Sequence, residues 1–300
     1  MAFNAMPSRT YMRQATEQKT KLIKTMSTTT THVAFFGATG GVTNAVLVHT
    51  LLAGMHATAL VRTPSKLRQQ LTSQGLDPAL LASNLTIIEG NALDVASVKR
   101  SLLAHGGPSS LPQHIVTGLG GSPALTFDWR HPGHIATLDN PNICETAART
   151  LVTALREIYA EHDPALTEAQ RKPLLTFIST TGISRGPEDV PFAMRFLYHQ
   201  ALAVPHKDKR AMEDVYCGEV EKTHQQSVFR NVVGIRPTLL AGTVSYTDAA
   251  GLEGVKVGTE SKPALGYSIK RADVGRWVFE NVISDKGEGK WEGEMVSLTS

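Results

Sequence analysis

Residues 32–44 read HVAFFGATGGVTN. The apolar run His32–Phe36 stops at Gly37, glycines return at Gly40 and Gly41, and apolar positions resume at Val42, Ala45, Val46, Leu47 and Val48. The pattern predicts strand, glycine turn and helix. A dinucleotide needs this arrangement because its pyrophosphate must approach bare backbone N–H groups at a helix N-terminus, where unpaired donors and the helix dipole both favour negative charge. Gly37 permits the tight turn and Gly40 the close approach. The motif's third small position falls on Thr43, larger than glycine, which predicts a loosened contact of helix on strand.

The second apolar run, His56–Val61, ends at Arg62, about twenty residues on, where a carboxylate would grip the ribose 2′-OH of NAD. Arginine suits a 2′-phosphate instead, and Thr63, Ser65 and Lys66 follow it, so the segment reads as an NADP preference. A solvated basic turn before a helix is the plainer alternative.

Onward the chain alternates strand and helix, the mark of an α/β fold with a doubly wound parallel sheet. Helices are expected over 64–74, 78–83, 95–103, 143–161, 192–203 and 207–224, with a last long one opening at Ile269. Strands are expected over 85–88, 114–117, 174–179, 231–235 and 294–298. Asn91 and Ala92 follow the third strand at the carboxyl edge, where such folds place adenine, and Asp94 reads as a helix cap. A second glycine cluster, Gly118-Leu-Gly-Gly, follows the fourth. An excursion over 122–142 carries Phe127, Trp129, His131 and His134, a candidate lid; the two histidines lack a third ligand at metal spacing, so no metal is expected. The fifth strand runs into Ser179-Thr180-Thr181-Gly182, hydroxyls able to hydrogen-bond a substrate carbonyl as hydride arrives. The glycine-rich stretch 242–266 is expected to form short strands and loops over the active face.

The remaining features bound the answer. With 300 residues, 41% hydrophobic, the chain can build one large domain over 32–300, its substrate side made from 121–142, 183–206 and 237–268 as a small C-terminal region. A net charge of +3 without a basic, aromatic-interleaved stripe argues against nucleic acid, and no apolar run is long enough to span a membrane. Cys144 and Cys217 read as reduced structural thiols of a cytoplasmic protein. Residues 1–31 carry Arg9, Arg13, Lys19, Lys21 and Lys24 against the single acid Glu17. They read as a flexible tail or a start set too early, with Met26 the natural one; a mitochondrial transit peptide is the alternative.

At Gly37-Ala-Thr-Gly40, Val61-Arg62, Gly118-Leu-Gly-Gly, Ser179-Thr-Thr-Gly and Ser268-Ile-Lys-Arg-Ala-Asp-Val, the chain resembles an atypical short-chain dehydrogenase/reductase with a Rossmann-type NAD(P)-binding fold. More narrowly it resembles the NmrA-like and biliverdin-IXβ-reductase-like proteins and the averufin-oxidase-type fungal oxidoreductases of secondary metabolism. The resemblance implies NADP contacts at Gly37, Thr39, Gly40, Gly41, Val42, Arg62, Asn91, Ala92 and Gly118, joined by Ser179. The Tyr-x-x-x-Lys couple of typical members does not carry over: Tyr198 has Leu202 one turn on, and Tyr216 has Val220. Biliverdin-IXβ-like reductases resemble this chain in offering strand-end hydroxyls and a basic helix instead. They point to Thr180 and Thr181, with His206, Lys207 or Lys209 nearby and Tyr198 as a substrate contact. The expected activity is NADP-dependent reduction or oxidation of a small planar carbonyl- or quinone-like molecule by a monomer or homodimer. A dinucleotide-sensing regulator and a redox-neutral isomerase or cyclase are the alternatives.

Overall fold

In the computed structural model, β1 (His32–Phe36) sends Val33 and Phe35 into one core and Ala34 and Phe36 into another, and all five of its residues are buried. A strand covered on both faces belongs at the centre of a parallel sheet. The structure describes residues 31–105, 111–120, 123–124, 137–138, 141–162, 168, 172–195, 202–223, 225–284 and 289–300. The candidate lid side chains Phe127, Trp129, His131 and His134, Tyr198, and all but Thr31 of the N-terminal extension lie outside them.

After β1 the chain forms α1 (Gly41–Leu52), β2 (His56–Val61), α2 (Pro64–Ser73), α3 (Pro78–Asn84), β3 (Leu85–Glu89), α4 (Val95–Leu103) and β4 (His114–Thr117). Two short strands, β5 (Pro123–Ala124) and β6 (Thr137–Leu138), pair with each other. Next come α5 (Ile143–Glu161), β7 (Leu174–Ile178), α6 (Ala203–Val220), β8 (Asn231–Pro237), β9 (Leu239–Ala241), β10 (Lys256–Gly258), β11 (Ser268–Lys270), α7 (Arg271–Val278) and β12 (Met295–Thr299). The main sheet runs β3-β2-β1-β4-β7-β8-β12-β10, parallel throughout except for the antiparallel β10. One face carries α1 and α7 over Val33, Phe35, Val61 and Ile235; the other carries α4, α5 and α6 over Ala34, Phe36, Ile115 and Phe177. No helix among the described residues is long and apolar enough to cross a membrane.

The expected elements are present, with local corrections. The charged helix begins at Ala203, not 207, and takes Pro205 into its first turn, where a missing N–H costs no hydrogen bond. The final helix begins two residues later than expected, at Arg271, because Ser268–Lys270 pairs with β9; it runs on through a π turn, Phe279–Ile283. Of the helix expected over 192–203, the described start is a 3-10 turn, Phe192–Met194, with Phe192 84% exposed, and 196–201 lie outside the described residues.

α1 is enclosed nearly all round, which explains why nine of its twelve residues are buried. Gly275 of α7 lies so close that a Cβ there would meet Val42 O at 2.8 Å. On another side, Tyr246 sets its ring edge-on to His49 at 5.7 Å, and its N–H donates to Gln74 Oε1 at 3.0 Å. Gln74 Nε2 donates to Asn44 Oδ1 at 2.8 Å, and Asn44 Nδ2 to Ala38 O in the glycine turn at 3.0 Å. Residues around Tyr246, expected over the active face, therefore cover α1.

At the amino edge of the sheet His105 lies between His32 and His56, its ring tilted to both, with centroids 4.4 and 4.6 Å away. His32 Nε2 shares a hydrogen bond with Thr58 Oγ1 at 2.8 Å. Burial, then the His105 and His56 rings, lowers the His32 pKa from 6.5 to about 3. The unfolded chain thus binds more protons than the folded one between these values. Stability is complete above pH 6.5 and drains away as pH falls toward 3. Urea unfolding at pH 7 and pH 5 should show the parent losing about 2 kcal/mol more than His32→Gln. Equal losses would place the acid sensitivity elsewhere.

Candidate functional site: a crevice at the carboxyl edge

Strand order reverses between β1 and β4, so their connections leave toward opposite faces and open a crevice at the carboxyl ends. Gly37 holds φ +84°, and a Cβ on it would meet Gly118 O at 2.9 Å. Gly40 N donates to Gly37 O at 2.8 Å, so that amide closes the turn and Gly40's part is to add no side chain. Gly40 caps α1 without a side-chain hydrogen bond, and the first turn holds no acid. The Gly41, Val42 and Thr43 amides have no carbonyl one turn earlier, which leaves the helix start fit for an outside anion. The Val42 side chain points into the core, so only its amide can serve. The flank of Gly41 is closed by the Arg271 side chain, whose Nη1 donates to Gly242 O at 2.6 Å.

Thr43 corrects an expectation. It does not loosen the packing: it is 1% exposed, and its hydroxyl fills the space that a Cβ on Gly118 would take. The bulk missing from one residue is supplied by the other.

A cleft of about 680 Å³ opens beside this junction. Gly37, Thr39 and Gly40 form its floor, Arg62, Thr63 and Lys66 one wall, Asn91 and Ala92 a second, and Gly118–Gly120 a third. Asn91 accepts from Leu93 N at 3.1 Å, which fixes its turn. Gly41, Val42 and Ser179 do not line the cleft. Its shape and donors fit a dinucleotide: a floor with two glycines and one short side chain, the open amides of the α1 start next to that floor, and cations at one wall.

Beyond Gly120 lie the ends of β4 and β7. Lys209 of α6 reaches across and donates to Leu119 O at 2.9 Å and Ile178 O at 2.7 Å. Ser179 is 5% exposed and its hydroxyl has no partner among the described residues. Thr180 is partly exposed, whereas Thr181 is fully buried with its hydroxyl donating to Pro237 O at 3.4 Å. His206 is buried and Lys207 exposed. Tyr216 packs on Phe177 and Phe229, and burial raises its pKa far above the ordinary phenol range, so it is a core aromatic. Burial likewise pushes the Cys144 and Cys217 thiols up to about 11, which keeps them protonated.

Sequence reading missed the ion network beside this edge. Arg236, at the end of β8, makes a two-pronged buried pair with Glu213 of α6 at 3.0 and 2.7 Å and also holds Glu260. Glu260 accepts from Ser184 Oγ at 3.0 Å, Arg185 N at 2.7 Å and Gly186 N at 3.0 Å. Two stretches expected on the substrate side, 183–186 and 259–262, are thereby tied together and to the sheet. The signal available was Arg236 at a strand's carboxyl end, a costly place for a charge without a buried partner.

The chain is 42% identical over 285 residues to oxidase pynE of Aspergillus niger, covering 89% of this chain and 98% of that one. It is 40% identical to reductase pytE of Aspergillus terreus, covering 91% and 100%. The chain belongs to this family of oxidoreductases. No family model matches it. Among solved structures it is similar in fold to ChuY, an anaerobillin reductase from Escherichia coli O157:H7, with a TM-score of 0.52 at 17% identity over 89% of this chain and 96% of that one. It is also similar to the oxidoreductase ylbE of Lactococcus lactis, with a TM-score of 0.57 at 14% identity over 90% of each. These likenesses confirm the doubly wound fold expected of the pynE and pytE relative.

The Thr43–Gly118 contact has a direct test. Gly118→Ala should lower stability by roughly 1–3 kcal/mol through overpacking, and Thr43→Ala in the same chain should restore most of it. Thermal melts of the two single variants and the double variant measure this; an unrelieved double variant would mean that the strain comes from elsewhere.

Proposed function

We propose that the chain is an NADP-dependent oxidoreductase that moves hydride to or from a small planar carbonyl- or quinone-like molecule, in secondary metabolism. The observation that carries this reading is the pairing, across one cleft, of an uncapped α1 N-terminus with a wall of Arg62, Thr63 and Lys66; no carboxylate lines the cleft among the described residues. The amides of Gly41 and Val42 would hold the pyrophosphate, and Arg62 with Lys66 the 2′-phosphate. Asn91 and Ala92 would border the adenine, with the backbone at Gly118 passing the nicotinamide-side ribose. When bound, the nicotinamide supplies or accepts the hydride.

The chain's own residues would orient and polarise. Lys209, held on the Leu119 and Ile178 carbonyls at the ends of β4 and β7, would set its ammonium beside the nicotinamide ribose, so that it helps to hold the cofactor and brings a positive charge to the edge where a carbonyl oxygen gains electron density. Thr180 is the strand-end hydroxyl left to face substrate, since Thr181 is engaged with Pro237. Ser179, buried and with no hydroxyl partner among the described residues, would bond the cofactor's carboxamide or ribose. The names oxidase pynE and reductase pytE support redox chemistry, and either direction suits these groups.

Arg62→Ala should weaken NADPH binding by roughly ten- to a hundredfold and leave NADH nearly unchanged, as nicotinamide fluorescence titration would show. Equal effects on both would refute the 2′-phosphate role. Incubated with NADPH, the purified protein should reduce at least one quinone, flavin or biliverdin-like acceptor. Cofactor binding without turnover across a broad panel would sink the catalytic reading.

A further inference from the structure

Asp208 is 98% hidden, yet the helix it serves is not its own: its 2% exposed carboxylate sits on the first turn of α5, accepting from Cys144 N and Glu145 N at 2.9 Å each. The residue in the local capping position, Asn142, makes no side-chain capping bond. The negative charge that favours a helix start therefore comes from α6, far along the chain. Its immediate neighbour is Lys209, whose ammonium spans to Leu119 O and Ile178 O. The circuit closes on itself, because the Cys144 thiol donates to the same Leu119 O at 3.3 Å, and Leu119 lines the cleft.

We propose that Asp208 is the positioning residue for Lys209: by locking α6 onto the start of α5, it sets the height at which the ammonium meets the ends of β4 and β7. The inference rests on the role given to Lys209 above. A lysine on a helix surface has several rotamers and a long arm, and ordering it costs side-chain entropy. A rigid anchor one residue away restricts where that arm starts. The Leu119 carbonyl, held from both sides, fixes where it ends.

Full-length parent, Asp208→Asn, Lys209→Met and the double variant should be titrated with NADPH by nicotinamide fluorescence, and with adenosine 2′,5′-bisphosphate, which probes only the adenosine end. Each single variant should lose NADPH affinity about tenfold and keep the bisphosphate, and the double variant should bind no worse than Lys209→Met, the mark of two residues acting through one contact. Multiplying losses in the double variant, parental NADPH affinity in Asp208→Asn, or equal loss of both ligands would overturn the positioning role and leave Asp208 a helix cap. Parental affinity in Lys209→Met would instead overturn the role of Lys209 on which the inference rests. Asp208→Glu guards against a folding failure, because it keeps the charge on a longer arm. It should melt near the parent while NADPH weakens about threefold or more, and unchanged affinity there would also overturn the proposal.

Discussion

At the junction of β1, α1 and β4 two positions have no room for a side chain, one because backbone approaches backbone and the other because a hydroxyl fills the space. A Cβ at Gly37 would strike Gly118 O, and one at Gly118 would strike Thr43. This contact brings the first turn of α1 to the crevice between β1 and β4 and aims its amides outward. The wall residues Arg62, Asn91 and Gly118 gain their meaning from that floor, because each is placed by a neighbouring parallel strand in fixed register with β1.

The two halves of the carboxyl edge are built by different means. On the β1–β3 side the surfaces are mostly main chain and short turns, rigid because β1 and β2 beneath them are buried on both faces. On the β4–β8 side, charged side chains of α6 do the placing: Asp208 on α5, Lys209 on two strand ends, Glu213 on Arg236. The Glu213–Arg236 pair is almost wholly enclosed, with residue exposures of 0% and 3%. Removing one partner of such a pair strands the other charge and costs about 3–5 kcal/mol. That pair also leads through Glu260 to the 184–186 loop, so α6 holds that loop as well as the lysine.

The parallel sheet and the strands that build it were legible because buried strands and glycine turns leave a dense local pattern. Gly37, Gly40, Arg62 and Asn91 could be placed on the cleft for the same reason: each sits just past a strand that the pattern marks. What stayed hidden depends on contacts between distant segments. Thr43 looked like a flaw in the glycine motif until Gly118 was seen to accommodate it. Asp208 and Glu213 looked like ordinary acids on a charged helix, since nothing local tells a solvated carboxylate from one that caps another helix or pairs with a buried arginine. Thr180 and Thr181 were equivalent as strand-end hydroxyls, and only the position of Pro237 separates them.

The enclosure of α1 bears on how the chain is made. The glycine turn and its helix leave the ribosome well before two of the surfaces that cover the helix, those around Tyr246 and Gly275. Until they arrive, Val42, Val46 and their neighbours have only β1, β2 and nearby helices against which to pack. A nascent chain holding β1 to α5 thus carries an apolar helix still open to water, the condition under which partly made proteins associate with chaperones or with one another. The enclosure of α1 is completed only when the residues around Tyr246 and Gly275 have been made, although the glycine turn precedes them by some two hundred residues.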